Sequence, residues 1–253
     1  MVQRRVFESF VSWTDAMTGS VEQHLRNVQR MLRMVPDQEQ FLERYIALSA
    51  HENFEICNTR DAFSQGQIAS KKWLIDSCIH LGLSLGQTWT LCGWVGVLGY
   101  LLLMHRDQLK ISSVRSFDLD PACAGMADTL NRVYVKNGWQ FKASTLNVNC
   151  LTYDNCQYQT VKHNGTQQTV QESADTVINT SCDHMTEDRT WWNAIPGGRL
   201  VILQNNDWHD NDQHTNTVQT LEQFAQQYDM SQLLYKGQLD CTLYQRFMLI
   251  GRK

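Results

Sequence analysis

At 253 residues, 42% hydrophobic and 19% charged, the chain has the composition of a globular protein able to bury a large core, and its length suits one domain with an appendage. Lys and Arg total 22 against 26 Asp and Glu, a formal charge of −4 that argues against a nucleic-acid partner, because a phosphate backbone selects a basic face. No run approaches the roughly 18 consecutive apolar residues that would span a membrane, and the first residues, MVQRRVFESFVSW, lack a signal-peptide pattern. Eight scattered cysteines without a CxxC pair suit reduced, buried thiols, so the expectation is a cytoplasmic protein.

In chain order, residues 1–83 read as a helical cap. FLERYIALSAHENFEIC and QIASKKWLIDSCIHLGL repeat apolar residues at three- and four-residue spacing, and Pro36-Asp37 marks a break with a new helix start. From residue 84 to 253 short apolar runs alternate with helical lengths: TWTLC, VRSFDLD, WQFKAST, DTVINTS, GGRLVILQNN, QLLYKG and YQRFMLIGRK. That alternation predicts an α/β fold, a mostly parallel sheet with helices on both faces. Near 152–173 lies a Gln-, Thr- and Asn-rich insert, and its Asn164-Gly165 dipeptide predicts a hairpin with a two-residue turn.

The stretch TLCGWVGVLGY places Gly93, Gly96 and Gly99 at a strand-to-helix junction, where either a ligand or tight helix packing must exclude side chains. The next strand ends in SFDLDP. Asp118 at its tip is suited to accept hydrogen bonds from a ribose diol, whereas Asp120 followed by proline reads as a helix cap.

Further on, INTSCDHM ends a buried strand at the sheet edge where open α/β folds hold their chemistry, and Asp183 and His184 there are candidates to take a proton from an attacking nitrogen or oxygen. The alternative is a loop in which Ser181 or Asp183 caps a helix and His184 lies on its surface. QNNDWHDNDQH invites a magnesium reading for its acids and a zinc reading for His209 with His214. Its spacing matches no metal signature, so no metal is assigned and the loop is read as capping a helix beginning near Thr217. Gln204 and Asn205, nearer the strand end, are the substrate-contact candidates.

Taken together, TLCGWVGVLGY, FDLDPACAGMADTLN, FKASTLN, DTVINTSCDHM and IPGGRLVIL resemble, in order and spacing, the class I methyltransferases that use S-adenosylmethionine, over about Gln67 to Lys253. The resemblance implies a seven-stranded sheet with its last strand antiparallel and S-adenosylmethionine as cofactor across its carboxyl edge. Gly93, Trp94 and Gly96 would then flank the methionine moiety, Asp118 and Leu119 the ribose, and Asn147 the adenine amine. SQGQIASKKWL resembles the segment closing over the methionine end in some amino-methyltransferases, which makes Gln67, Ser70 and Lys71 candidates for the cofactor carboxylate. Asn179 resembles the first residue of the motif that grips a substrate amine, and is placed with both the catalytic and the cofactor residues.

This sequence departs from the family at Leu91, where an acid commonly stands, and its GxxGxxG spacing is unlike the tighter glycine pattern of NAD enzymes. The resulting expectation is an enzyme methylating a nitrogen or oxygen of a small polar acceptor. Three alternatives stay open: chemistry of the same cofactor that releases methylthioadenosine (aminocarboxypropyl transfer, cyclisation or a lyase reaction), a nucleic-acid amino-methyltransferase, and a silent cofactor-binding module.

Overall fold

The computed structural model describes residues 21–162, 164–185, 189–209 and 214–253. The sequence MVQRRVFESFVSW and residues 210–213 of the acidic loop lie outside these. Residues 21–34 are helical (α1). The Asp37 carboxylate accepts from the Gln40 amide at 2.9 Å and so caps α2 (Gln38–Ser49), as the Pro36-Asp37 break predicts. A short α3 (Thr59–Ala62) leads to α4 (Gln65–His80), capped by the Ser64 hydroxyl.

The α/β part then runs β1 (Gly86–Leu91), α5 (Val97–Met104), β2 (Ile111–Asp118), α6 (Pro121–Leu130), α7 (Arg132–Lys136) and β3 (Phe141–Thr145). A hairpin of β4 (Cys156–Val161) and β5 (Gln167–Glu172) follows, then β6 (Thr176–Asn179), α8 (Thr190–Asn193), β7 (Leu200–Asn206), α9 (Leu221–Gln227), β8 (Gln232–Asp240) and β9 (Gln245–Arg252). The seven-stranded sheet has the order β3-β2-β1-β6-β7-β9-β8, and β9 pairs antiparallel with both of its neighbours. Because the chain steps outward from β1 to β3 and then returns to β6 on the other side of β1, a crevice opens between the carboxyl ends of β1 and β6.

Side-chain alternation assigns each strand's residues to two cores. Val114, Ile178, Ile202, Met248 and Ile250 join the core shared with α1–α6, while Phe117, Val177, Val201, Phe247 and Leu249 join one closed by α8, α9 and the hairpin. The helices before β1 therefore share a core with one face of the sheet. On the other face the hairpin is tied down by an ion pair: the Arg115 guanidinium donates to both carboxylate oxygens of Glu172 at 2.7 Å, and the Tyr158 hydroxyl adds a bond to Oε2.

Three local expectations are corrected. The hairpin forms, but its loop spans 162–166 instead of two residues: Lys162 bonds Thr166 across it, with Gly165 at φ +80°. The last helix starts at Leu221, not near Thr217, because Thr220 supplies the capping hydroxyl for the Gln223 amide. The segment after Ser181 forms a single 3-10 turn, Cys182–His184, in place of a helix running to Trp191. All eight cysteines are free, and among the described residues no helix is long and apolar enough to cross a membrane.

Candidate functional site

The turn after β1 is shaped by its packing against β2. A side chain at Gly93 would place its Cβ 2.0 Å from the Ser116 hydroxyl, and one at Gly99 would meet the Phe141 ring at 2.4 Å. Gly96 has φ +76°, a left-handed conformation that side chains disfavour, and its carbonyl accepts from the Asn131 amide. Protein packing therefore accounts for all three glycines. The flanking Cys92 and Trp94 also adopt positive φ, a costly arrangement in non-glycine residues that aims the turn's backbone toward β2.

The Trp94 amide donates to Asp118 Oδ2 at 2.8 Å, and the Asp120 amide donates to Oδ1 at 3.0 Å. Burial raises the Asp118 carboxyl above its usual range, against these hydrogen bonds, which favour the carboxylate. Asp120 itself caps α6, its carboxylate accepting from Ala122 at 2.9 Å ahead of Pro121. Asp120 thus serves as the expected helix cap, and both acids border the crevice.

A cavity of about 480 Å³ fills the crevice. One end is lined by Gly93, Trp94, Asp118 and Asp120, and the other by Asp183, His184, His214, Tyr244 and Arg246. The segment from Ile56 to Lys71 covers it, with the Trp94 indole donating to the Cys57 carbonyl at 2.7 Å. Lys71 is 7% exposed and donates to Gln67 Oε1 at 2.6 Å; burial first, then Arg246, pushes its ammonium down to about 7.

Of the residues singled out from the sequence, Gln67, Lys71, Gly93, Trp94, Asp118, Asp120, Ser181, Asp183, His184 and His214 line this cavity. Six others do not. Gly96 lies behind the turn, and Leu119 points outward, 69% exposed. Asn147 caps a 3-10 turn through Asn149, and Ser70 spends its hydroxyl on the Gln67 carbonyl. Asn179 is buried with its side-chain oxygen accepting from Ser181, because alternation puts it on the core face beside Val177. Gln204 bonds the Ser70 carbonyl and Asn205 the Asn216 carbonyl, so neither reaches the cavity, whereas Asn206 does. His209 contacts Thr217 at 2.6 Å, away from the cavity lining.

Arg246 and Tyr244 are the functional candidates that sequence reasoning passed over. Arg246 is 5% exposed, 4.0 Å from Asp183 and bonded to the Thr180 carbonyl, and its guanidinium lies 5.5 Å from the Tyr244 ring. The available signal was a cation opening an otherwise apolar strand, QRFMLIGR. Trp208 stacks on Tyr244 with ring centroids 5.4 Å apart at the cavity rim.

No protein-family model matches the chain, and no curated protein matches its sequence. Solved structures do match by fold. The N-methyltransferase NodS from Bradyrhizobium japonicum WM9, in complex with S-adenosyl-L-homocysteine, aligns with TM-score 0.52 and 10% identity over 83% of this chain and 98% of its own. Geranyl diphosphate C-methyltransferase from Streptomyces coelicolor A3(2), with Mg2+, geranyl-S-thiolodiphosphate and S-adenosyl-L-homocysteine, aligns with TM-score 0.51 and 11% identity over 82% and 84%. At such identities the likeness is one of architecture, and by that architecture the chain has the class I methyltransferase fold.

Proposed function

We propose that the chain binds S-adenosylmethionine in the crevice and transfers its methyl group to a small polar acceptor. The observation that carries this reading is the cavity at the β1/β6 switch point, whose 480 Å³ lies within the roughly 300–1,000 Å³ range of small-molecule sites. The residues present fit the cofactor. Each Asp118 oxygen keeps a lone pair beyond its amide bond, which suits a ribose diol, and Lys71 with Gln67 offers an ammonium and an amide to a carboxylate. The structural neighbours named above were solved with the demethylated form of the same cofactor.

S-adenosylmethionine supplies an already activated methyl carbon, so the chain's own task is to align the acceptor and exclude water. Asp183, His184, Tyr244 and Arg246 offer acceptor contacts at the far end of the cavity. S-adenosylmethionine and S-adenosylhomocysteine are each expected to raise the melting temperature, and NAD to leave it unchanged, as a ligand specific to the native state must by mass action. Tight NAD binding with no response to either adenosyl compound would overturn the assignment. Product analysis after incubation with cell extract should yield S-adenosylhomocysteine. Methylthioadenosine formed without added acceptor would replace methyl transfer with lyase, cyclisation or aminocarboxypropyl chemistry.

The two acids at the β2 tip give a second test. Asp118→Ala removes a charged acceptor and is expected to weaken cofactor binding by about 1.5–3 kcal/mol, roughly ten- to hundredfold. Asp120→Ala should instead cost about 1 kcal/mol of stability, as loss of a helix cap does. Equal losses of affinity in both variants, with unchanged unfolding midpoints, would show that the roles are wrongly divided.

A further inference from the structure

We propose that Asp183, His184 and His214 form a binding site for one divalent first-row transition cation in the cavity wall. All three line the cavity, and their ligand atoms lie within 4.8 Å of one another. Asp183 Oδ2 stands 3.2 Å from His214 Nε2 and 3.4 Å from His184 Nε2, and the imidazole centroids are 4.7 Å apart with nearly perpendicular rings. A cation bonded at about 2.1 Å to each ligand separates neighbouring ligand atoms by about 3.0–3.4 Å in octahedral or tetrahedral geometry.

The surrounding hydrogen bonds point the same way. His214 Nδ1 lies 2.9 Å from the Trp208 carbonyl, which can only accept, so the proton sits on Nδ1. That bond fixes the ring so that Nε2 faces the Asp183 carboxylate at 3.2 Å. A backbone carbonyl fixing the far ring nitrogen is also the arrangement that orients metal-bound histidines. Asp183 is 2% exposed, receives a bond from Asn206 Nδ2 at 2.9 Å on Oδ2, and has no hydrogen-bond partner for Oδ1 among the described residues. Its own carbonyl accepts from the Thr215 and Asn216 amides at 2.9 Å, which staples the carboxylate's loop to the loop bearing His214.

Two imidazoles and one carboxylate suit zinc, manganese or iron(II) over magnesium, which prefers oxygen alone. Because all three described ligands line the cavity, a cation bound there would be placed to hold an oxygen or nitrogen of the acceptor. The site stands on its own ligands and does not depend on the cofactor assignment.

The full chain, dialysed against chelator, should bind Co2+ or Zn2+ stoichiometrically by calorimetry, and Co2+ should develop visible absorption. His214→Ala, His184→Ala and Asp183→Asn are each expected to lower affinity at least tenfold, while His209→Ala binds as the wild type does. His184 is partly exposed, so its variant keeps the test open should Asp183→Asn fail to fold. Absence of stoichiometric binding would overturn the proposal, as would binding that survives both histidine substitutions.

Discussion

At pH 7, Lys71→Met is expected to make the ligand-free protein more stable while weakening its hold on the cofactor. The Lys71 ammonium is buried against neutral partners, the Gln67 side chain at 2.6 Å and the Gln67 carbonyl at 3.4 Å, so folding strips its water without supplying a counter-charge in contact. Burial, reinforced by Arg246 and opposed by Asp61, holds its pKa at about 7, below the value of about 10.4 of an unfolded lysine. Between those values the unfolded chain carries a proton that the folded chain has released, so stability rises with pH across that window, and the penalty is fully present below about 7. Each unit is worth about 1.4 kcal/mol, and replacement of a buried charge by an apolar side chain of similar size recovers roughly 1–4 kcal/mol.

Urea unfolding of wild type between pH 6 and 9 should therefore show stability climbing above neutrality, with the Met variant starting higher and lacking that climb. If Lys71 meets the cofactor carboxylate, wild-type affinity should also fall by up to tenfold per pH unit above about 7, with proton uptake on binding. The Met variant should bind weakly at every pH. A Met variant less stable than wild type at pH 7 would mean that the ammonium is better compensated than its contacts indicate.

Lys71 also illustrates what the chain discloses before folding. Local chemistry was legible: the Pro36-Asp37 break, the Asp120 cap and the placement of Asp118 at a strand tip follow from neighbouring residues, and each appears in the structure. The succession of short apolar runs and helical lengths likewise marked the mostly parallel sheet, since two buried faces demand near-continuous apolar strands. What failed was face assignment at the strand ends. Asn179 and Gln204 sit at the carboxyl edge, yet their side chains turn into the protein, while Asn206 reaches the cavity. The far wall was illegible for another reason: Asp183, His214 and Arg246 come from separate loops and a late strand, and no sequence spacing encodes their approach. The glycines of the turn likewise answer to Ser116, Asn131 and Phe141, partners visible only once the helix lies on the sheet.

Glu172→Ala is expected to destabilise the protein by about 3–5 kcal/mol, the cost of leaving a buried charge without its partner. Arg115 and Glu172 are 8% and 17% exposed at their side chains, and the guanidinium makes two parallel bonds to the carboxylate, with Nη1 donating to the Trp139 carbonyl at 2.7 Å. Removing the carboxylate leaves that carbonyl as the main partner of a desolvated cation and also strips the Tyr158 hydroxyl of its acceptor. Replacing both ends, as Arg115→Met with Glu172→Leu, should recover most of the loss, since the charge goes along with its counter-charge. Denaturant midpoints for the single and double variants provide the measurement. Neither residue lines the cavity, so cofactor affinity per folded molecule should stay at the wild-type value in all of them. A Glu172→Ala variant within about 1 kcal/mol of wild type, well short of the buried-pair range, would mean that water reaches Arg115 once the carboxylate is gone and that the hairpin is held by its apolar face, Tyr158 against Trp89 and Phe117.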